Sequence, residues 1–244
     1  MKPIGKFVLG LLMISLSLPI PSALAGIGDF FKDVQKAVGG SDGSSENQIV
    51  DGLKQALEIG TANSVERVSE PNGYYENPKI RIPLPESVQK VKKLLVVAGY
   101  GSEMDAFELS MNRAAEQAAP KAKALFLDSV QQITFSDAQK ILDGRENAAT
   151  LYFEDKTRGQ LFKTFEPIVH SSMSEVGVTR SYQDLNTKVQ AIPFAESMNL
   201  DLDQYVTNQA LNGLFLILAE EELKIRQDPT ARVTDLLKQV FGGK

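Results

Sequence analysis

The stretch Ala210-Leu-Asn-Gly-Leu-Phe-Leu-Ile-Leu-Ala219 is apolar on nearly every side of a helix, broken only by Asn212 and Gly213. It runs directly into Glu220, Glu221 and Glu222, then Lys224, Ile225 and Arg226. A helix that is hydrophobic all round must be surrounded by other chain or by lipid. About ten residues cannot cross a bilayer, which needs ~20. The stretch therefore reads as part of a buried central helix, about residues 206–226.

Working outward from it, the rest of the chain is mostly written in helical periods. Ile49, Leu53, Ala56, Leu57 and Val65 make one stripe, and Val88, Val91, Leu94 and Leu95 another. Ser102 with Asp105, and Thr134 with Asp137, have capping-box spacing and predict two helix starts. The helix after Ser102 carries Ala114, Ala115 and Ala118, small residues that permit close approach to a neighbour. Pro120 bends it or opens a new one. Segments 146–154 and 159–176 read as two helices, the second kinked or interrupted at Pro167. Further helices are expected over 181–191 and after Asp228-Pro229. Asp201 suits an N-cap better than a calcium ligand, because the Asp-x-Asp-x-Asp-Gly spacing is missing.

Residues 69–85 break the pattern. Asn72-Gly73 is a turn signal, Pro78, Pro83 and Pro85 exclude a helix interior, and Lys79 to Ile82 alternates like a short extended piece. The expected architecture is all-α: a multi-helix orthogonal or bundle-like domain around the central helix, with this one irregular Pro-rich loop.

The N-terminus reads differently. Lys2 and Lys6 precede an apolar run from Phe7 to Leu18, and Ala23-Leu24-Ala25 is a small-x-small cleavage signal. Residues 1–25 are expected to be a signal peptide cleaved after Ala25, with a periplasmic mature chain and no transmembrane segment in it. Gly26 to Val38 has Ile27, Phe30, Phe31, Val34 and Val38 at helical spacing. That pattern fits a helix docked on its own domain, or one lying on a membrane surface or a partner. Gly39 to Ser45 reads as a Gly/Ser linker, and 46–244 as a single domain.

Composition excludes several chemistries. The net charge is −5, and losing residues 1–25 removes two lysines and no acid. A chain this acidic is a poor nucleic-acid binder, since phosphate contacts need clustered Lys and Arg, and its overall charge also argues against adhesion to an anionic membrane by charge alone. Without cysteine there is no disulfide, no thiol catalysis and no Cys-ligated metal. His170 is the one histidine, so a two-His metal site cannot be built. Gly99-Tyr100-Gly101 lacks the preceding strand of a nucleotide-binding turn. No cofactor and no metal are expected.

Polar residues at helical spacing supply the candidate site. Glu108, Asn112 and Glu116 line one side of a helix, with Arg113 able to pair with Glu116. Glu221 continues the stripe of Leu214, Leu218 and Ile225, with Arg226 or Arg113 as its natural partner if it is buried. One reading of these groups is an ion-pair network fixing helix register; the other is the polar floor of a ligand cavity, or a carboxylate pair for acid–base work. Catalytic residues remain unknown.

Several segments together resemble an exported bacterial family known as domain of unknown function 4197. They are Gly73-Tyr74 through Ile80-Arg81-Ile82-Pro83-Leu84-Pro85, Met111-Asn112-Arg113-Ala114-Ala115-Glu116, Asp137-Ala138 with Ile141 to Gly144, Ala149 to Phe153, and Ala210 to Phe241. The resemblance spans roughly Ile49 to Phe241. It implies a secreted, mainly helical domain and brings no activity or catalytic residue. It points to the loop, the Asn-Arg-Ala-Ala-Glu helix and the central helix as places for a site. The ligand-binding candidates are Tyr74, Arg81, Asn112, Arg113, Glu116, Glu221 and Arg226. The expected function is non-catalytic binding of a small apolar or amphipathic ligand or an envelope protein. The alternatives are a hydrolase using acidic residues, with or without a divalent metal, and a structural component of an envelope complex.

Overall fold

The long helical periods are realised as seven α-helices among the described residues: α1 (Asp42–Ser69), α2 (Glu86–Val97), α3 (Gly101–Ala118), α4 (Ala122–Gln131), α5 (Phe135–Leu142), α6 (Ala148–Glu175) and α7 (Leu202–Gln227). A 3-10 turn, Ala119–Lys121, joins α3 to α4 at Pro120. The structure is a computed structural model and describes residues 42–97, 99–175, 187 and 201–227. It is all-α, with no strand among those residues. No helix among them is long and apolar enough to cross a membrane. The expected signal peptide, the 26–38 segment, most of the 181–191 helix and the helix after Pro229 lie outside the described residues.

α7 is the centre, packed against α6 and α1, while α6 also lies along α3. Val206, Ala210, Leu211, Leu214, Ile217 and Leu218 are buried. Each such Leu or Ile withdrawn from water contributes about 1.5–3 kcal/mol before entropy is counted. The helix is not covered on every side, however. Asn212 and Leu216 are exposed and Ala219 and Leu223 partly so, which leaves one outward strip at four- and three-residue steps.

Three boundaries differ from the sequence expectation. α1 begins at Asp42, so the last residues assigned to the linker are helical. α3 begins at Gly101 with Tyr100 at its N-cap and no side-chain cap; the Ser102 hydroxyl donates instead to Glu103, and the Ser102–Asp105 box is not formed. Segments 146–154 and 159–176 are one helix, α6, that continues through Gly159 and Pro167. Burial explains the continuity. Ala149, Phe153, Thr157, Leu161, Phe165, Val169 and Met173 follow one another every four residues and are all buried, while Gly159 faces open space. Packing along that line outweighs the local weakness of one glycine and one proline.

Two caps form as expected. Thr134 and Asp137 exchange both bonds of a capping box at the start of α5. Asp201 accepts the Gln204 N–H at the start of α7.

Candidate functional site

The candidate residues fall into two groups rather than one. The first lies between α3 and the irregular loop. The loop leaves α1 through Asn72, whose φ of 69° is left-handed. Gly73 follows because a Cβ there would sit 2.7 Å from the carbonyls of Arg67 and Val68 at the end of α1. The Glu116 carboxylate on α3 then accepts the backbone N–H of Tyr74 at 3.1 Å and of Tyr75 at 3.4 Å. Its other oxygen accepts from Arg113 at 2.6 Å, and Arg113 also donates to the Asn72 side chain at 2.6 Å.

One turn earlier on α3, Asn112 acts as a substitute peptide. Its Oδ1 accepts the Ile82 N–H at 2.8 Å and its Nδ2 donates to the Ile82 carbonyl at 2.9 Å and to the Glu108 carbonyl at 2.8 Å. Arg81 lies over the Tyr75 ring at 4.3 Å and donates to Glu108 at 2.8 Å. Asn112 and Glu116 therefore supply the hydrogen bonds that a buried irregular backbone lacks, while Glu108 pairs with the Arg81 side chain.

α7 holds the other side of the loop. The Tyr74 hydroxyl donates to the Ala210 carbonyl at 2.7 Å, and Tyr205 donates to the Pro83 carbonyl at 3.0 Å. Burial, reinforced by the charge of Glu116, holds the Tyr74 phenol protonated far above the ordinary tyrosine range. Tyr205 is raised in the same direction, by burial first and then by Glu108 and Glu86. Gly213 is the place where the loop touches α7. A Cβ there would come within 2.7 Å of the Tyr74 ring and 3.0 Å of Ile80.

The second group sits at the far end of α7, and its pairings correct the sequence expectation. Glu221 pairs with Lys224 at 2.5 Å and with Arg67 at 3.7 Å, not with Arg226 or Arg113. Arg226 pairs with Glu222 at 2.8 Å and donates to the Ile141 carbonyl at 2.7 Å. Glu222 accepts the N–H of Ala149 at 3.0 Å and of Thr150 at 2.8 Å, and the Thr150 hydroxyl at 2.8 Å. The arginine thus meets the carbonyl end of α5 and the glutamate meets the amide end of α6, each matching the local helix dipole. Glu222 was not singled out from the sequence, although its position four residues before Arg226 was a usable signal.

His170, on α6, is exposed and pairs with Asp203 of α7 at 2.6 Å. No cluster of three or more His, Asp or Glu side chains with metal-binding geometry occurs among the described residues.

Open space lies beside these networks. Arg113 and Glu116 line a surface recess of about 380 Å³ with Ser69, Pro71, Gln117 and Pro120. Glu222 and Arg226 border a void of about 20 Å³, with room for roughly one water. A larger groove, about 470 Å³, runs between the outward strip of α7 (Leu216, Ala219, Glu220, Leu223) and Arg145, Glu146 and Asn147 at the start of α6. None of the seven candidate residues lines that groove. Its sequence signal was Leu216 and Leu223, seven apart on the one face of the central helix that the core does not cover.

Fold and polar networks together define a helical domain in which the buried Glu116, Glu222 and Arg226 serve the protein's own backbone. Residues 43–242 match the profile of the family described as "Protein of unknown function (DUF4197)", and the chain belongs to that family. No curated protein and no solved structure matches it.

Proposed function

We propose that this is a non-catalytic binding domain of the bacterial cell envelope, exported by residues 1–25, and that it holds a small amphipathic molecule in the groove of α7. The observation that carries the reading is the Leu216 strip. Leu216 is 43% exposed on a helix whose other leucines are mostly buried, and it lines a groove in the size range of small-molecule sites. Leu216, Ala219 and Leu223 provide an apolar floor, while Arg145, Glu146 and Glu220 provide a charged rim for the polar end of a ligand. The polar residues first suspected of chemistry favour the same reading from the other side. Asn112, Glu116, Glu222 and Arg226 already have partners inside the fold, which leaves the groove as the more available surface.

Native mass spectrometry of the protein recovered from its own periplasm is expected to show a co-purifying small amphipathic molecule. Leu216→Glu, at an exposed position, is expected to abolish that adduct without changing helical content. Protein recovered without an adduct, or an adduct unaffected by L216E, would overturn the assignment of the groove.

A further inference from the structure

Among the described residues the most exposed large hydrophobic side chain is Val97, at 89%, and Val96 beside it at the end of α2 is 48% exposed, as is the isolated Leu151 on α6. α2 buries Val88 and Leu95 and has α3 as its main neighbour. Its outer face carries Lys90, Lys93 and Val97, three and four residues apart and therefore in line, with Lys92 and Val96 beside them. α2 holds three lysines and one acid, Glu86, at its opposite end, in a chain where 31 acids outnumber 26 bases. A cationic, apolar-tipped helix is thus set into an acidic protein.

We propose that this face of α2 rests on an anionic phospholipid surface, with the lysines at the headgroups and Val96 and Val97 entering the interface. Charge complementarity is the first argument, since lysines near an anionic leaflet attract it. Shape is the second. Two valines and three lysine stems cannot supply the ~800 Å² per partner of a stable protein interface. A bilayer needs no matching surface, and shallow insertion of a few apolar side chains beside lysines suffices for weak, reversible attachment. The site is on a different element from the α7 groove, so either can fail without the other.

The test is co-sedimentation of the purified protein with vesicles of phosphatidylglycerol and phosphatidylcholine, and with vesicles of phosphatidylcholine alone. Binding is expected to the anionic vesicles only, and to weaken at high salt. Lys90→Gln with Lys93→Gln is expected to lower partition by about thirtyfold, at roughly fivefold per lysine. Val97→Ser is expected to lower it further, with the circular dichroism spectrum unchanged in every variant. Equal binding to neutral vesicles, or anionic binding that these substitutions leave intact, would assign attachment to another part of the chain and overturn the proposal. So would an absence of binding, or a self-association without lipid that V97S abolishes.

Discussion

Glu116 and Glu222 perform the same task in two unlike parts of the molecule. Each is a buried carboxylate on a helix, each accepts two successive backbone N–H groups from another segment, and each has an arginine within one turn on its own helix. What differs is the segment held and the exposure of the cation. Glu222 holds the regular start of α6, and its Arg226 side chain is 5% exposed. Glu116 holds an irregular loop, and its Arg113 side chain is 36% exposed. A carboxylate can therefore replace a missing backbone acceptor for ordered and irregular chain alike. The solvent access of its arginine decides how much depends on the ion pair, because water can take the place of a half-exposed guanidinium beside the buried carboxylate but not of a buried one.

The largest expected effect tests the buried pair. Arg226→Ala strands the Glu222 charge and removes the donor to Ile141, and it is expected to destabilise by about 3–5 kcal/mol in urea unfolding. Glu116→Ala leaves the Tyr74 and Tyr75 amides without their acceptor and is expected to cost about 1–3 kcal/mol. Its signature is local: faster proteolysis within 70–85 than in α6. A surface version of the device sharpens the contrast. Thr134→Ala, which breaks the capping box, is expected to cost about 1 kcal/mol at neutral pH. Hydrogen bonds from Thr134 hold the Asp137 carboxyl below the usual aspartate range. A lowered folded pKa gives stability that is present above the unfolded value and lost as pH falls through the folded one. The gap between wild type and T134A is therefore expected to narrow in acid, the bond from the Asp137 N–H to the Thr134 hydroxyl accounting for what remains. Arg113→Ala also leaves a buried carboxylate, Glu116, without its cation, but the recess that both residues line admits water where the half-exposed guanidinium stood, so it is expected to be the mildest, at under about 1 kcal/mol. An Arg113→Ala loss as large as that of Arg226→Ala would break the comparison.

The helical class was legible because apolar periodicity is a local signal, and so was the Thr134–Asp137 cap. The Ser102–Asp105 spacing was equally good and failed, because the helix starts at Gly101 and Ser102 lies inside it, bonded to Glu103. Continuity of α6 was hidden because Gly159 and Pro167 are local weaknesses, whereas the buried line through Phe153, Leu161 and Phe165 depends on neighbours far away in the chain. The loop's importance could be read from its prolines, and the helix of Asn112 and Glu116 from their spacing. That those side chains serve the loop's own backbone could not, since hydrogen bonds across some 30 to 42 residues leave no periodic trace. The groove was missed because an all-apolar run was read as covered on every side, and only packing shows that Leu216 is left outside.

The hydrogen bond from Tyr74 to Ala210 spans 136 positions in the chain. A polypeptide made from its N-terminus first carries this tyrosine long before its acceptor has been synthesised. Until residues 210–213 have been made, the ring has no Gly213 surface to lie on. Nascent chains stopped before residue 210 are therefore expected to leave the 70–85 region open to protease, and chains extending beyond 227 to close it in a single step.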